Sequence, residues 1–329
     1  MSATDERPLK VGVVGLGMAG NAMVLKHSSN VPQCALAIEQ VMREAGFPDG
    51  LFRTLLISSR QVDPIIEDTR VRMVTLTGSD AAGRQVAATA GRCLKKTVLE
   101  LGGSDPYIVL PDADLDLAAK TAAVARNQNS GQSCIAAKRF LVHEAVADAF
   151  EQRFVDAVAA MKVGDPMDRS TQIGPLARAD LVDSLDAQVQ ETLRQGGKLL
   201  LGGKRLERPG FFYAPTIVSN VSPSMPMFRE ETFGPAAAVT RVKSEDEAVA
   251  LANDTIFGLG ASVWTRNLET GKKLARQIES GQVFINGMVA SDPRLPFGGV
   301  KASGYGRELS TIGLRELVVQ EFRFASLKP

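Results

Sequence analysis

The chain has 329 residues, of which 44% are hydrophobic and 23% are charged, and this composition is typical of a globular protein of about two domains. Lys and Arg number 38 and Asp and Glu number 37, so the net charge is +1, which argues against nucleic acid or a membrane surface as a partner. The three cysteines, Cys34, Cys93 and Cys134, show no Cys-x-x-Cys spacing. They predict neither a disulfide framework nor a structural zinc site, and they favour a reducing cytoplasm.

Short strands and helices are predicted to alternate along the first hundred residues. Such alternation favours an α/β fold with a parallel sheet. The predicted strands are 11–14, 21–26, 50–57, 71–77 and 96–101, and the predicted helices are 31–45, a short segment at 65–69, and a helix that opens at 78 and ends near Gly91.

A glycine-rich turn follows the first predicted strand, because residues 15–20 read G-L-G-M-A-G. This matches the dinucleotide fingerprint G-x-G-x-x-G after a strand. No long helix follows, however, and Glu39, the acidic residue about twenty positions on, falls in a helical pattern. The turn therefore fits either a phosphate-binding loop or a structural turn, and we favour the second.

The rest of the chain continues as a second α/β segment. A helix rich in Ala and Leu is predicted to start at Pro111 and Asp112, and a C-terminal run, 317–324, reads L-V-V-Q-E-F-R-F. That run predicts an edge strand, which invites pairing with another subunit. Further predicted strands are 139–143, 198–201 and 260–265, and further predicted helices are 145–161 and 246–253.

A single cysteine ends the polar stretch 124–134, V-A-R-N-Q-N-S-G-Q-S-C. A lone cysteine is often inert packing, but the small polar flank of Cys134 argues against a core position and favours a nucleophile. A free thiol has a pKa of about 8.5, so a helix N-terminus or nearby amides must raise its thiolate fraction. His27 and His143 are poor candidates for an activating base, which disfavours a Cys-His hydrolase.

A carboxylate lies between apolar neighbours at Glu100, in V-L-E-L-G-G. One interpretation is a side chain that caps the next turn. The other is a general base, because apolar neighbours desolvate a carboxylate and raise its pKa towards a useful range. The glycines that follow allow a close backbone approach.

Several further residues are candidates for binding a nucleotide, each with a structural alternative. Gly78 and Ser79 join a strand to a helix, where exposed amides suit a pyrophosphate or Ser79 merely caps the helix. Lys26 lies at the carboxyl end of a strand, where open α/β sheets bind ligands, or is simply solvated. Glu231 and Phe233, in R-E-E-T-F-G-P, suit a ribose and a nicotinamide ring, or a helix end with a buried Phe.

From about Ala19 onwards the chain resembles the aldehyde dehydrogenase superfamily. The motifs M-A-G-N-A-M-V-L-K-H, V-T-L-T-G-S, L-E-L-G-G, N-S-G-Q-S-C, E-E-T-F-G-P and L-P-F-G-G-V-K-A-S-G-Y-G-R-E-L occur in the family's order. The variants K-H-S-S-N-V-P-Q-C-A and N-S-G-Q-S-C-I-A-A-K-R-F look most like the succinate-semialdehyde dehydrogenase branch.

The resemblance implies an α/β, aldehyde dehydrogenase-like fold in three parts. Residues 1–102 would form a truncated, Rossmann-like dinucleotide-binding domain, of which 1–18 are atypical. Residues 103–302 would form the catalytic thiol domain, and 303–329 a tail with an oligomerisation strand. The expected assembly is a homodimer or homotetramer.

The resemblance also assigns roles to matching positions. Cys134 would attack the aldehyde, and Glu100 would be the general base. Ser29 stands where NAD-strict relatives carry a glutamate, and a serine removes the charge that would repel a 2′-phosphate, so the cofactor is NAD or NADP. The other expected cofactor contacts are Lys26, Gly78, Ser79, Glu231 and Phe233, and the expected substrate contacts are Ser133 and Phe297, although Phe297 also fits simple packing.

Family members carry a long N-terminal part before the M-A-G-N segment, and this chain shows no match to it. That part supplies an oxyanion-hole asparagine, and losing such a donor typically costs about 10²–10³ in rate. The expected function is NAD(P)-dependent oxidation of a small aldehyde, succinate semialdehyde by resemblance. The alternatives are a truncated, catalytically impaired cofactor-binding or oligomerising fragment and, more weakly, a thiol hydrolase.

Overall fold

The computed structural model describes residues 9–11 and 22–317. Contacts divide the chain into two units, with the main boundary after Glu100. The first unit comprises the described parts of Met1–Glu100, Ser291–Gly298 and Tyr305–Pro329, and the second comprises Leu101–Ala290 and Gly299–Gly304.

Parallel strands form the sheet of the first unit. Strands β5, β4, β1, β2 and β3 lie side by side in that order, and each neighbouring pair runs parallel. The prediction of a parallel α/β sheet is therefore confirmed. The elements up to the boundary are β1 (Leu9–Val11), β2 (Ala22–Lys26), α1 (Pro32–Glu44), β3 (Phe52–Leu55), α2 (Val62–Glu67), β4 (Met73–Thr77), α3 (Asp80–Arg92) and β5 (Lys96–Glu100).

Helix α1 shows how local signals set the bounds of an element. Pro32 occupies its first turn, where a missing N–H costs nothing, and Gly46 follows its end with φ +83°. A glycine adopts that left-handed conformation without a steric penalty. The predicted helix 31–45 is thus confirmed to within one residue at each end.

The second unit is built on a larger sheet, in the order β13-β12-β6-β7-β10-β9-β8. All neighbours run parallel except β8 and β9, which are antiparallel. Its elements are β6 (Pro106–Val109), α4 (Leu115–Asn127), β7 (Arg139–His143), α5 (Glu144–Ala159), α6 (Ala179–Arg194), β8 (Lys198–Leu201), β9 (Thr216–Ser219), α7 (Pro226–Arg229), β10 (Ala236–Val242), α8 (Glu245–Asn253), β11 (Phe257–Gly258), β12 (Gly260–Trp264), α9 (Leu268–Ala275), β13 (Gln282–Ile285) and β14 (Val300–Lys301). The remaining elements are β15 (Gly304–Tyr305) and α10 (Ser310–Glu316).

Helices cover both faces of this second sheet, and strand β10 shows it most clearly. Ala236 and Ala238 belong to one core cluster with residues of α6, α8 and α9, whereas Ala237 and Val239 belong to another with residues of α4 and α5. Alternate residues of a strand point to opposite faces. A strand buried on both sides therefore reads as a continuous apolar run, as parallel sheets require.

Most of the predicted elements are confirmed, but several boundaries differ: the predicted strand 50–57 is β3 (Phe52–Leu55), and the predicted helical segment 65–69 is α2 (Val62–Glu67). Strands 139–143 and 198–201 match β7 and β8 residue for residue. The helix predicted to start at Pro111 begins at Leu115 instead, because Asp114 caps it by accepting a hydrogen bond from the Leu117 amide. The Asp112 carboxylate instead accepts hydrogen bonds from Thr265 Oγ1 at 2.8 and 2.9 Å.

Some predicted features fall where the structure gives no description. The glycine-rich turn 15–20 lies outside the described residues, as does the predicted edge strand 317–324 beyond Leu317. Strand 11–14 is described only at Val11, the last residue of β1. Among the described residues, every helix falls short of the length or the apolar character needed to cross a lipid bilayer.

Candidate active site

Cys134 follows a tight left-handed turn at the end of α4. Asn129, Ser130 and Gly131 have φ values of +51°, +57° and +74°, a conformation that costs most residues energy and suits Asn and Gly best. The Ser130 hydroxyl accepts a hydrogen bond from the Gly174 amide at 2.9 Å. This contact ties the turn to a neighbouring loop, and the Cys134 side chain is half-buried.

The glycines of the L-E-L-G-G motif are required by close packing within the second unit. A Cβ on Gly103 would lie 2.5 Å from the Cys134 carbonyl oxygen, and a Cβ on Gly102 would lie 2.6 Å from Glu231 Oε2. Cβ atoms do not approach other atoms so closely. Gly102 therefore lets Glu231 pack against this backbone, and Gly103 does the same for the cysteine loop. The close approach predicted for a ligand is made here by the protein itself.

A buried lysine connects the cysteine loop to Glu231. Lys138 is fully buried, and its Nζ donates to the carbonyl oxygens of Ser133 at 3.0 Å and Cys134 at 2.8 Å. The same Nζ lies 3.4 Å from Glu231 Oε1, which also accepts a hydrogen bond from the Gly103 amide at 3.0 Å. The structure thus brings Ser133, Cys134 and Glu231 together.

Lys138 is not among the residues that the sequence predicted for the site. Its only signal is a basic residue four positions after the cysteine, in S-C-I-A-A-K-R-F. A lysine in such a run is usually solvated, so sequence reasoning gives no ground to select it.

Burial works against ionisation of the thiol. The pKa of Cys134 is raised to about 11, chiefly by burial and also by the negative charges of Asp105 and Glu231, against the opposing effects of the Lys138 ammonium and the Ile135 amide. The predicted help from a nearby amide is present, but the environment as a whole favours the neutral thiol. Cys134 comes after a helical turn rather than at the start of a helix, so the predicted stabilisation of the thiolate by a helix N-terminus is not observed.

Two more charged side chains are buried in the same unit. Asp105 is 2% exposed and accepts a hydrogen bond from the Gly260 amide at 3.0 Å, and burial raises its pKa to about 6. Arg126 is 1% exposed and donates to the Gly131 carbonyl at 2.8 Å, and burial lowers its pKa to about 9. The cysteine turn is therefore surrounded by opposite charges at low dielectric.

Glu100 ends strand β5 in the first unit and is 2% exposed. Among the described residues, neither of its carboxylate oxygens has a hydrogen-bond partner. The interpretation as a turn cap is therefore wrong. Burial raises the pKa of Glu100 to about 8, with the charge of Glu308 adding to the effect and Arg307 opposing it, which is the range a general base needs at neutral pH.

The candidates for holding a nucleotide lie at one edge of the first sheet. Lys26 ends β2 and Thr77 ends β4, and these strands flank β1, where the strand order reverses. Ligands of open α/β sheets bind at such a point. Gly78 and Ser79 are exposed, as is Ser29 in the turn after β2.

Ser79 is the N-cap of α3, because its Oγ accepts a hydrogen bond from the Ala82 amide at 3.3 Å. The capping interpretation is thus observed. It does not compete with a phosphate contact, since the exposed start of a 13-residue helix still presents amides and a positive dipole end. This edge fits an anionic nucleotide.

The two aromatic candidates occupy different surroundings. Phe233 is half-buried in the loop between α7 and β10, so the alternative of a buried Phe at a helix end does not hold. Phe297 is 9% exposed in the first unit, and its backbone exchanges hydrogen bonds with Glu308 at 2.8 and 2.7 Å. A lining role for Phe297 remains a prediction.

Comparisons with known proteins identify the family to which the chain belongs. A model of the aldehyde dehydrogenase family matches residues 12–321. A Synechocystis protein named as a probable NADP(+) succinate-semialdehyde dehydrogenase is 55% identical over 301 residues, which cover 92% of this chain and 66% of that protein. A Mycobacterium tuberculosis protein named NADP(+) succinate-semialdehyde dehydrogenase 1 is 54% identical, with 91% and 65% covered. The chain spans just under two thirds of the length of these relatives.

Solved structures of the same kind superpose closely on the chain. The succinic semialdehyde dehydrogenase of Streptococcus pyogenes in complex with NADP+ has a TM-score of 0.91 at 42% identity, and 93% of this chain and 67% of that chain are covered. The NAD-dependent aldehyde dehydrogenase of Sinorhizobium meliloti has a TM-score of 0.88 at 41% identity, with 90% and 59% covered.

Proposed function

Because the chain belongs to the aldehyde dehydrogenase family, we propose that it oxidises a small aldehyde to the carboxylic acid with NAD or NADP. The observation that carries the proposal is the cysteine turn, in which Cys134 lies at a left-handed bend closely packed on Gly103. Succinate semialdehyde is the proposed substrate, and the names of relatives above half identity support it.

In the proposed reaction, the thiolate form of Cys134, which the last step regenerates, attacks the carbonyl carbon of the aldehyde. A C–S bond forms as the carbonyl π pair moves to oxygen. A bound nicotinamide cofactor would supply the hydride acceptor for this carbon, and loss of the hydride with its two electrons would leave a thioester on Cys134. Glu100 then takes a proton from water, the hydroxide attacks the thioester, and the C–S bond breaks to release the acid and the thiolate.

The residues proposed to hold the cofactor are those that the sequence resemblance assigned to it. Gly78 and Ser79 present backbone amides at the start of α3 for the phosphates, and Lys26 adds a positive charge at the same sheet edge. Glu231 and Phe233 are proposed to contact the ribose and the nicotinamide ring. NADP is supported by the names of the relatives.

The exposed Ser29 places no fixed negative charge beside a 2′-phosphate. We therefore expect turnover with both nucleotides, and strict exclusion of NADP would contradict the assignment of Ser29.

The larger organisation is proposed on the same basis. The boundary after Glu100 supports the proposed division between a cofactor domain at 1–102 and a thiol domain at 103–302, whereas Ser291–Gly298 and the described part of the proposed tail from Tyr305 onwards belong to the first unit. A cytoplasmic location is supported by the three unpaired thiols, which suit a reducing compartment.

The first experiment follows the absorbance of the reduced nicotinamide in mixtures of the folded chain, succinate semialdehyde, and either NAD or NADP. We expect a signal that disappears in Cys134→Ala and persists in Cys34→Ala, which removes an exposed thiol. Cofactor binding without oxidation would favour the alternative of a cofactor-binding fragment. Ester cleavage that needs Cys134 but no cofactor would favour a thiol hydrolase.

A further inference from the structure

The ammonium group of Lys138 has no exposure to solvent. Burying an amine is costly unless its donors find partners, and here two hydrogen bonds and one ion pair compensate the burial. Nζ donates to the carbonyl oxygens of Ser133 and Cys134 and pairs with Glu231 Oε1. These contacts hold the Ser133 and Cys134 carbonyl groups and the Glu231 carboxylate around one ammonium group.

The two accepting carbonyls belong to the peptide groups on either side of the Cys134 Cα. Peptide groups are planar, so holding both carbonyl oxygens fixes the two planes that meet at this Cα. The direction of its Cα–Cβ bond, and with it the path of the thiol, follows from those planes. Lys138 therefore acts on Cys134 through the backbone.

The same ammonium acts on the thiol through its charge. The charged groups that affect Cys134 are Lys138, Asp105 and Glu231. Burial lowers the pKa of Lys138 and the charge of Arg126 adds to this effect, whereas the charges of Glu231 and Asp105 favour the ammonium form. Both carboxylates oppose a thiolate, and Lys138 is the cation that favours it. Charges interact strongly where water is excluded, so this cation counts more than one at the surface would.

We propose that Lys138 is a positioning residue for Cys134, holding the two carbonyls that flank the thiol and supplying the positive charge that stabilises the thiolate. This inference rests on the proposed function, in which Cys134 is the nucleophile. The inference adds to the sequence resemblance, because the resemblance gave no role to Lys138.

Removing Lys138 would change the thiol pKa in the opposite direction if the lysine had only a structural role. If Lys138 only filled space, its removal would loosen the loop and expose Cys134. Since burial is the largest cause of the high thiol pKa, exposure would lower the pKa and speed the reaction of the thiol. Loss of a stabilising charge would raise the pKa and slow that reaction, so the sign separates the two roles.

The test is the rate at which Cys134 is alkylated by iodoacetamide as a function of pH, in a background that carries Cys34→Ala and Cys93→Ala. We expect Lys138→Met to lower the rate about tenfold below the thiol pKa, since one pKa unit is a factor of ten, and to shift the profile to higher pH. Glu231→Gln should shift it to lower pH. Lys120→Met, on the exposed side of α4, should leave it unchanged.

Lys138→Gln keeps the outcome decisive if Lys138→Met fails to fold, because it retains a hydrogen-bond donor and removes the charge. An unchanged profile, or a shift to lower pH, in the folded Lys138 variants would overturn the inference. Alkylation needs neither aldehyde nor cofactor. A chain that fails to oxidise aldehydes would therefore refute the proposed function alone, and an active chain with unmoved alkylation would refute this inference alone.

Discussion

At the scale of single residues, burial acts on both proposed reacting groups with different consequences. It raises the pKa of the Cys134 thiol to about 11 and that of the Glu100 carboxyl to about 8. For a nucleophile this change reduces the reactive form at neutral pH. For a base it brings the pKa close to the working pH, where proton transfer is most effective.

Turnover should therefore depend on the protonation of Glu100. A base works only when it is deprotonated, so the rate of thioester hydrolysis should rise as the pH passes through about 8. Glu100→Gln should abolish this rise in rate with pH and lower turnover by a factor of roughly 10²–10⁴. The measurement is turnover against pH, with the exposed Glu230→Gln as control, and the same rise in Glu100→Gln would contradict the assignment.

The same carboxyl should make stability depend on pH. Because its pKa is raised from 4.5 to about 8, the folded chain binds more protons than the unfolded chain between these values, and the free energy of unfolding falls as the pH rises. This contribution is complete below about pH 4.5 and is lost once the pH passes 8. Urea unfolding at both ends of that window should show a smaller difference in Glu100→Gln, and an unchanged difference would argue against a neutral buried carboxyl.

At the scale of elements, the turn between α4 and Cys134 depends on a glycine for two reasons. Gly131 has a φ of +74°, and a Cβ there would overlap the carbonyl oxygen of Gly234. Only the first reason applies to Gly196, which follows α6 with a φ of +105° and has no atom within 4 Å of a built Cβ. Comparing substitutions at Gly131 and Gly196 therefore separates the free-energy cost of a left-handed backbone from the cost of steric overlap.

Gly196→Ala should cost about 1–2 kcal/mol of unfolding free energy, the price of a left-handed alanine. Gly131→Ala should cost more, because the backbone of the cysteine turn or of the Gly234 loop must also move. It should also slow alkylation or oxidation at Cys134, which Gly196→Ala should not. Chemical denaturation measures the loss of unfolding free energy in both variants. Equal losses would show that the backbone around Gly131 moves to accommodate a Cβ at no extra cost.

At the scale of the whole molecule, the chain divides into two units, and each carries its own share of the proposed chemistry. The first unit holds Glu100 and the sheet edge with Lys26, Gly78 and Ser79, and the second holds Cys134 and its charged surroundings. Within the first unit, parallel strands bring their carboxyl ends, and with them Lys26 and Glu100, to one edge of the sheet.

A homodimer or homotetramer is the predicted assembly, with 317–324 as the pairing strand. The apolar and aromatic content of this run favours an edge strand that another chain can extend. Light scattering should give at least twice the monomer mass for the whole chain. Replacing Val319 by Pro should reduce that mass, because proline removes a ladder donor, and a monomer in both cases would contradict the prediction.

The sequence alone determined the features that depend on local pattern. Short apolar runs predicted β2, β4, β5 and β7, and Pro32 and Gly46 predicted the bounds of α1. The polar flank of Cys134 set it apart from the other thiols. These signals are local, because side-chain period, turn chemistry and capping involve neighbours within a few residues.

Only the tertiary structure decided what surrounds the reacting groups. Lys138 looks like a solvated charge in the sequence, yet folding buries it against Ser133, Cys134 and Glu231. Glu100 could have capped a turn, yet folding buries it with no hydrogen-bond partner among the described residues. The reason is physical: burial and charge interactions depend on residues far apart in the chain, and their pKa effects arise only once those residues have been brought together.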